Sequence, residues 1–490
     1  MTEEAKDTLS KKYRLKITDE LNQINFGMMV GYALCQVWLT LCFFAPQLFP
    51  ENASVSVYEI SLAVAALSLV PALIAVKKCE VLMEDRQVIR LIALCAGVGT
   101  FIIPFSAGSS ALALVLQLLA GILTGIASGW FFVAWYQAFC KEHDLIGFVL
   151  SVLFSSLFMY VLTAVAYLPD VSPWIMVVIA SVMPGVSGAL LIHQPTNTSF
   201  VSEPFMPRKH TEQRKGLFLL CASIFVISFV DEFMRNYYLD GTDLRFYSDA
   251  LNLILLIVKV LTSLVLVLII AERSHQMSLV YRLSFLLTMV AVLFMPYAHS
   301  FADFFYGVTN FGAYLFKIMI MIIAFNFCQR YRTSPTLVFS LTRIAFSLDL
   351  LLGFGTIQVF RVFEPGIPDL LGIVSVLLGL LVVAVYSFVF TDSGNIAIFR
   401  KEEDDTDSES LFNERCDRLV RIGKLSSRES DVLRLIAKGR SATRISEELH
   451  VSMNTVNTHT SHIYQKLRTH SRQELLDLLE SMAPEENSVP

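Results

Sequence analysis

The chain has 490 residues, with 38 Lys and Arg against 43 Asp and Glu, a formal net charge of -5 and a mean hydropathy of +0.59. Hydrophobic residues make up 54% and charged residues only 17%, against about 25% charged in ordinary soluble domains. That excludes a string of soluble domains and indicates a polytopic membrane protein. No global basic field points to nucleic acid. The eight cysteines (35, 42, 79, 95, 140, 221, 328 and 416) contain no CxxC pair and sit mostly in apolar runs, which excludes a disulfide framework and a zinc site of known spacing.

Residues 1–24 are charged and no small-residue cleavage site follows them, so they read as a cytoplasmic segment before an uncleaved signal anchor. A membrane-spanning helix needs ~20 apolar residues. Twelve such segments are predicted, near 25–48, 57–76, 88–106, 111–139, 145–168, 174–192, 216–239, 249–270, 282–297, 304–328, 335–360 and 370–391. Six lie within 25–192 and six within 216–391, separated by a central loop at 193–215. Basic residues fall in alternate connections: Lys11, Lys12, Arg14 and Lys16; Lys77, Lys78 and Arg86; Lys141; Arg208, Lys209, Arg214 and Lys215; Arg273; Arg330 and Arg332; Arg400 and Lys401. Of the other connections, only those with Arg245 and Arg361 hold a basic residue. By the positive-inside rule both termini and the central loop are cytoplasmic.

This six-plus-six layout resembles the major facilitator superfamily of transporters. That family's loop signature reads Gly-x-x-x-Asp-Arg-x-Gly-Arg-Arg. Here Val81 to Arg90 keeps Asp85, Arg86 and Arg90 and lacks both glycines. The resemblance implies a transporter-like bundle, while the eroded signature speaks against active transport. Gly121, Gly125 and Gly129 form a small-residue stripe suited to close helix packing, with a dimer face as the alternative.

Charge inside the membrane is lopsided. The first six segments hold almost none in their interiors, whereas the second six hold Asp231, Glu232, Arg235, Lys259, Lys317, Arg343 and Asp349. Each central charge costs about 2.5–3.5 kcal/mol even on the lenient insertion scale. Internal ion pairing is one resolution. The other is a ligand cavity lined by the second half, with Asp231, Arg235, Lys259, Lys317, Arg343 and Asp349 as candidate residues and an anionic or carboxylate-bearing small molecule as the ligand.

Beyond residue 391 the composition turns polar. Residues 392–424 read as an acidic linker and lead-in helix. As flexible coil, 391–410 would reach ~25 Å. Residues 425–480 read as a small helical domain and 481–490 as a tail. Ser426-x-x-Glu429 and Ser471-x-x-Glu474 are capping boxes, Gly439 closes the first helix, and Ser441 and Ser452 can cap the second and third. Short helices, a turn at His450-Val451 and a longer helix burying Val456, Ile463 and Leu467 describe a helix-turn-helix. Its outer stripe (Asn454, Asn457, Thr458, Ser461, His462 and Gln465) offers short donors and acceptors, followed by Lys466, Arg468 and Arg472 as phosphate charges.

The segment is similar to the DNA-binding domain of the LuxR/GerE family. It shares Leu425, Arg428, Glu429, Val432, Leu433, Ser441, Ile445, Thr455, Val456, His459, Ile463, Tyr464, Lys466, Leu467, Ser471 and Arg472 with that family's run. Where the family has Glu in its second helix this chain has Arg444, and Asn457 stands where a Lys is usual. The resemblance implies DNA contacts by Asn454, Thr455, Asn457, Thr458, His459, Ser461, His462, Lys466, Arg468 and Arg472. With fewer cations on this helix, non-specific binding should be weaker and its salt slope flatter.

The expectation is an all-α protein: a 12-helix transmembrane bundle with a four-helix LuxR-type domain. It would act as a one-component transcription regulator that senses a small-molecule or membrane signal and binds double-stranded promoter DNA as a homodimer, through the Leu476/Leu479 face of the last helix. The alternative is a transporter with a regulatory DNA-binding tail. No enzymatic motif, cofactor or metal is expected; His459 and His462 stand without a neighbouring carboxylate or thiolate in sequence.

Overall fold

A computed structural model describes residues 24–44, 55–108, 110–166, 168, 170–194, 211–239, 249–271, 277–294, 296, 302–367, 369–390, 402–437, 442–449 and 451–481. Among them every regular element is a helix, and the chain divides into two compact units, Met1–Phe399 and Arg400–Pro490.

The first unit holds α1 (Phe26–Phe44), α2 (Val55–Ile74), α3 (Val76–Leu82), α4 (Arg86–Ile102), α5 (Ala111–Glu142), α6 (Leu145–Ala166) and α7 (Pro173–Ile192). After these come α8 (Thr211–Leu239), α9 (Asp249–Ala271), α10 (Met277–Phe294), α11 (Ala302–Tyr331), α12 (Pro335–Phe363) and α13 (Leu370–Phe390). Helices satisfy every backbone polar group within the segment, which is what a lipid environment demands. Local signals set their ends: Asp85 accepts from the Gln87 amide at 2.7 Å to start α4, Ser110 accepts from that of Ala113 at 3.1 Å to start α5, and Pro173 opens α7. Among the described residues ten helices are long and apolar enough to cross a membrane, and Phe26–Cys42 and Arg282–Phe294 are shorter apolar stretches. These twelve correspond in order to the predicted segments. The short α3 has no counterpart in the apolar pattern, because its seven residues include Lys77, Lys78 and Glu80.

The packing reveals an internal repeat. In the first half α1 packs on α6 and α7, α2 on α5, and α4 on α5 and α7. In the second half α8 packs on α12 and α13, α9 on α11, and α10 on α11 and α13. Each pair in one half has its counterpart six spans later. Across the seam α2 meets α12 and α6 meets α9, contacts that exchange when the halves are exchanged, as a two-fold repeat requires.

The glycine stripe of α5 faces α2 inside the bundle. A Cβ on Gly125 would come within 2.6 Å of the Ser61 carbonyl oxygen and 2.8 Å of Val64, and one on Gly121 within 2.5 Å of Ile60. Gly125→Val is therefore expected to cost at least the 1–3 kcal/mol typical of overpacking. It should lower the yield of monodisperse protein in detergent, whereas Gly185→Val, with nothing within 4 Å of its Cβ position, should leave the yield unchanged.

The second unit comprises α14 (Glu402–Gly423), α15 (Ser427–Ala437), α16 (Ala442–Glu448), α17 (Met453–Leu467) and α18 (Arg472–Ser481). The acidic stretch expected as flexible coil is the start of α14. Its clustered acids sit at a helix N-terminus, where the macrodipole favours negative charge. Farther along, Cys416 and Leu419 join the core of the unit with Val432, Leu433, Ile436, Ile445, Val456, Ile463, Leu475 and Leu479. Arg434 ties α15 back to α14 through Asp417 and donates to Asn413 Oδ1 at 3.0 Å. The expected caps Gly439 and Ser441 and the turn residue His450 lie outside the described residues.

Candidate functional site

The third helix of the C-terminal unit, α17, starts where Ser452 Oγ accepts from the Thr455 amide at 3.1 Å. Val456, Ile463 and Leu467 point into the core, while Asn454, Asn457, Thr458, Ser461, His462 and Gln465 are exposed on the other side. Thr455 and His459 are half-buried at the edge of that stripe. The helix ends on Arg468 in the left-handed conformation (φ 54°), with its amide bonded to the Tyr464 carbonyl. The result is a polar ridge with an apolar underside, presented at a capped N-terminus whose free amides suit a phosphate oxygen.

A buried carboxylate holds this ridge in place. Glu429 accepts from the Ser426 amide at 2.7 Å, and its own amide reaches Ser426 Oγ at 3.4 Å, which completes the capping box of α15. The same Glu429 oxygen accepts from Lys466 Nζ at 2.7 Å, with His462 Nδ1 3.7 Å from the other oxygen. The Lys466 ammonium, helped by the Ser426 amide, holds the Glu429 carboxyl down at about 2. Two of the expected phosphate cations thus have partners within the protein: Lys466 serves Glu429, and Arg472 donates to the Ile436 carbonyl at 3.4 Å, closing the C-terminus of α15. Arg468 is exposed. In the second capping box Glu474 receives the Ser471 cap at 3.2 Å but returns to the amide of His470 at 2.7 Å, one residue earlier than expected. Leu479 is buried in the unit's own core beside Leu475 and so is withdrawn from the pairing face expected of it.

In the membrane unit the candidate ligand residues divide. Lys317 Nζ donates to Gln36 Oε1, Gln36 Nε2 donates to the Tyr32 hydroxyl, and that hydroxyl lies 2.5 Å from the hydroxyl of Tyr136. This chain crosses from α11 in the second half to α1 and α5 in the first, so the cluster belongs to the seam and is not confined to the second half. Arg343 is 4% exposed and stacks 5.1 Å from the Phe132 ring of α5. Ser340 Oγ, Arg343 Nε and Ser347 Oγ are all buried with no hydrogen-bond partner, and spacings of three and four put them on one face of α12. Among the described residues neither Lys317 nor Arg343 forms an ion pair. Asp349 forms no direct ion pair with Arg343: six residues at ~100° each set them about 120° apart around the helix. Lys259 lies 5.3 Å from the Tyr314 ring. Asp231 is half-buried on α8, and the Arg235 side chain lies outside the described residues. Tyr32, Gln36 and Tyr136 carry no charge, so buried charge in the sequence does not point to them. Gln36 one turn after Tyr32 in an otherwise apolar helix was the available signal.

A second network ties the halves together at the end that carries Lys77, Lys78, Arg86, Lys141, Arg330 and Arg332. Lys141 pairs with Glu84 and lies 3.8 Å from Glu80. Ser334 Oγ donates to Glu80 at 3.1 Å, Thr336 Oγ1 to Gln137 Oε1 at 2.7 Å, and Gln329 to the Cys140 carbonyl at 2.9 Å. Asp85 caps α4 locally and takes no part.

Residues 423–479 match the model of the bacterial regulatory proteins of the luxR family, GerE. Over 53 residues the chain is 49% identical to the oxygen regulatory protein NreC of Staphylococcus carnosus, a match covering 11% of this chain and 24% of that one. The chain therefore spans about a quarter of that relative's length. Among solved structures, the human organic anion transporter MFSD10 aligns at 15% identity and a TM-score of 0.47, over 74% of this chain and 98% of that one. A bacterial homologue of the iron transporter ferroportin aligns at 15% identity and 0.48, over 75% and 99%. Capping boxes, buried apolar triplet, polar ridge and family match coincide on one segment: residues 423–479 form a helix-turn-helix domain of the luxR family of bacterial regulatory proteins.

Proposed function

We propose that the chain is a one-component transcription regulator of the bacterial inner membrane, with both termini on the cytoplasmic side. The bundle receives a small-molecule signal and the luxR-type domain binds promoter DNA, paired with a second copy on a two-fold site. Base contacts fall to Asn454, Asn457, Thr458 and Ser461, with Thr455, His459, His462 and Arg468 serving the backbone, while Lys466 and Arg472 hold the domain together. The observation that carries the sensing half is the seam: among the described residues the half-buried Lys317 and the buried Arg343 form no ion pair, beside an unsatisfied polar face of α12. A buried charge that costs several kcal/mol and is not neutralised internally is best explained by an anionic ligand. Such a ligand acts only by binding one state of the bundle better than another.

Genome-wide crosslinking of the full-length chain to DNA tests this, beside an Asn457/Thr458/Ser461 triple-alanine variant. The expected result is a small set of sharp peaks, reduced at least tenfold in the variant, since each lost base contact is worth about 1–3 kcal/mol. Identical, featureless profiles would remove the DNA reading. Uptake of a solute that survives deletion of 411–490 would favour the transporter reading.

A further inference from the structure

The outer flank of the first half bears a groove of about 700 Å³ between α4 and α7. Helix contact closes its floor: a Cβ on Gly97 would lie 2.7 Å from the Ser181 carbonyl oxygen, and one on Gly188 would lie 3.0 Å from Ala93 Cβ. Leu94, Val98, Phe101 and Val182 wall it with 45–63% of their surface exposed. At Gly185 the groove stays open, with nothing within 4 Å of a Cβ there. The repeat-related pair α10 and α13 is filled at the corresponding kind of contact, where Leu293 packs 2.9 Å from the Cβ position of Gly379.

One end of the groove is basic. Among the described residues its titratable lining residues are Arg90 and His193, with no acid beside them. Among the described residues Arg90 forms no ion pair. His193 Nδ1 donates to the Ala189 carbonyl at 2.7 Å, which leaves Nε2 open to a ligand, as a donor to an anion when the ring carries both protons. From Arg90 to Phe101 is eleven residues, or ~16 Å at 1.5 Å each. That is about half of the ~30 Å hydrocarbon core, the depth of a single leaflet. At its far end Phe101, Phe105 and Trp174 pack with tilted rings, their centres 5.6 and 5.4 Å apart.

We propose that this groove is a binding site for an anionic phospholipid, with the phosphate of its headgroup on Arg90 and His193 and one acyl chain laid along Gly185 to Phe101. A groove one leaflet deep, apolar along its length and exclusively basic at one end matches a single-chain anchor with a negative head. Basic pockets between membrane helices hold anionic headgroups by the same combination. A second copy of the chain fits less well, because a two-fold contact through this groove would bring Arg90 against its own copy.

Native mass spectrometry of the full-length protein, released from vesicles of equal phosphatidylglycerol and phosphatidylcholine, tests the site. Wild type is expected to retain one phosphatidylglycerol in at least fivefold preference. Arg90→Gln should abolish the preference, and Gly185→Leu, whose Cβ would have nothing within 4 Å and whose side chain would enter the open groove, should abolish retention itself. A monodisperse peak in detergent at the yield of wild type shows that the variants are folded. Equal retention of the two lipids by wild type would overturn the headgroup assignment. Undiminished retention by Gly185→Leu would overturn the groove, and a dimer peak lost in that variant would replace the lipid by a second copy.

Discussion

Glu429→Gln is expected to lower the melting temperature of the C-terminal unit by about 10–20 °C at pH 7. The carboxylate serves three partners at once: the Ser426 amide, Lys466 and, at longer range, His462. Hydrogen bonds to a charged group contribute about 1.5–3 kcal/mol and a helix cap about 1 kcal/mol, so a loss of about 2–4 kcal/mol is the right order. A domain of this size shifts by about 4–8 °C per kcal/mol. The pH dependence has a definite sign. The folded carboxyl titrates at about 2, below the ~4.3 of an unfolded Glu. Its contribution is therefore complete above about pH 4.5 and is lost as pH falls towards 2. Thermal melts of residues 400–490 at pH 7, 5, 4 and 3 should show wild type converging on Glu429→Gln as the acid end is approached. A variant that melts with wild type at pH 7 would show that the Lys466 bond contributes nothing to the fold. Lys466 would then be free for phosphate, as its position in the sequence first suggests.

Lys317→Met carries the second large expectation, and its direction separates a ligand site from a structural strut. A half-buried ammonium whose described partner is the neutral Gln36 is a net cost to the bundle. Replacing it with an apolar side chain of similar length should therefore leave the full-length protein in detergent as stable as wild type or more so, by up to the ~2.5–3.5 kcal/mol of a central charge. Regulation should be lost at the same time: occupancy of the crosslinked promoters would no longer change between growth conditions in which wild type changes. A strong loss of stability instead would mean that the Lys317–Gln36–Tyr32–Tyr136 chain exists to join the halves, and the sensing proposal would lose its carrying observation.

Particular residues show why some of this was legible in the sequence. The spans stand out because lipid demands ~20 apolar residues in a row, a signal that does not depend on packing. The LuxR-type segment is equally local. Ser426 to Glu429, Val432 to Ile436 and the run through Thr455, Val456, His459 and Ile463 set caps and faces within a few turns. The same local reasoning failed at residues 402–410, where acidity suggested coil. Their position before Cys416 and Leu419 makes them the first turns of a helix whose far end is anchored in a core.

Roles that depend on long-range pairing could not be read in this way. Lys466 and Arg472 look like DNA cations until Glu429, 37 residues earlier, and Ile436, 36 residues earlier, are brought against them. Leu479 looks free for a dimer until the core closes over it. Lys317 and Gln36, 281 residues apart, become one cluster only when the two halves meet. Composition, periodicity and caps, which act within one helix, determined the helical class, the order of the spans and the luxR-type segment. Which polar groups are buried together, which cations are already neutralised and where the bundle leaves a groove depend on side chains far apart in sequence, and only the tertiary structure decided them.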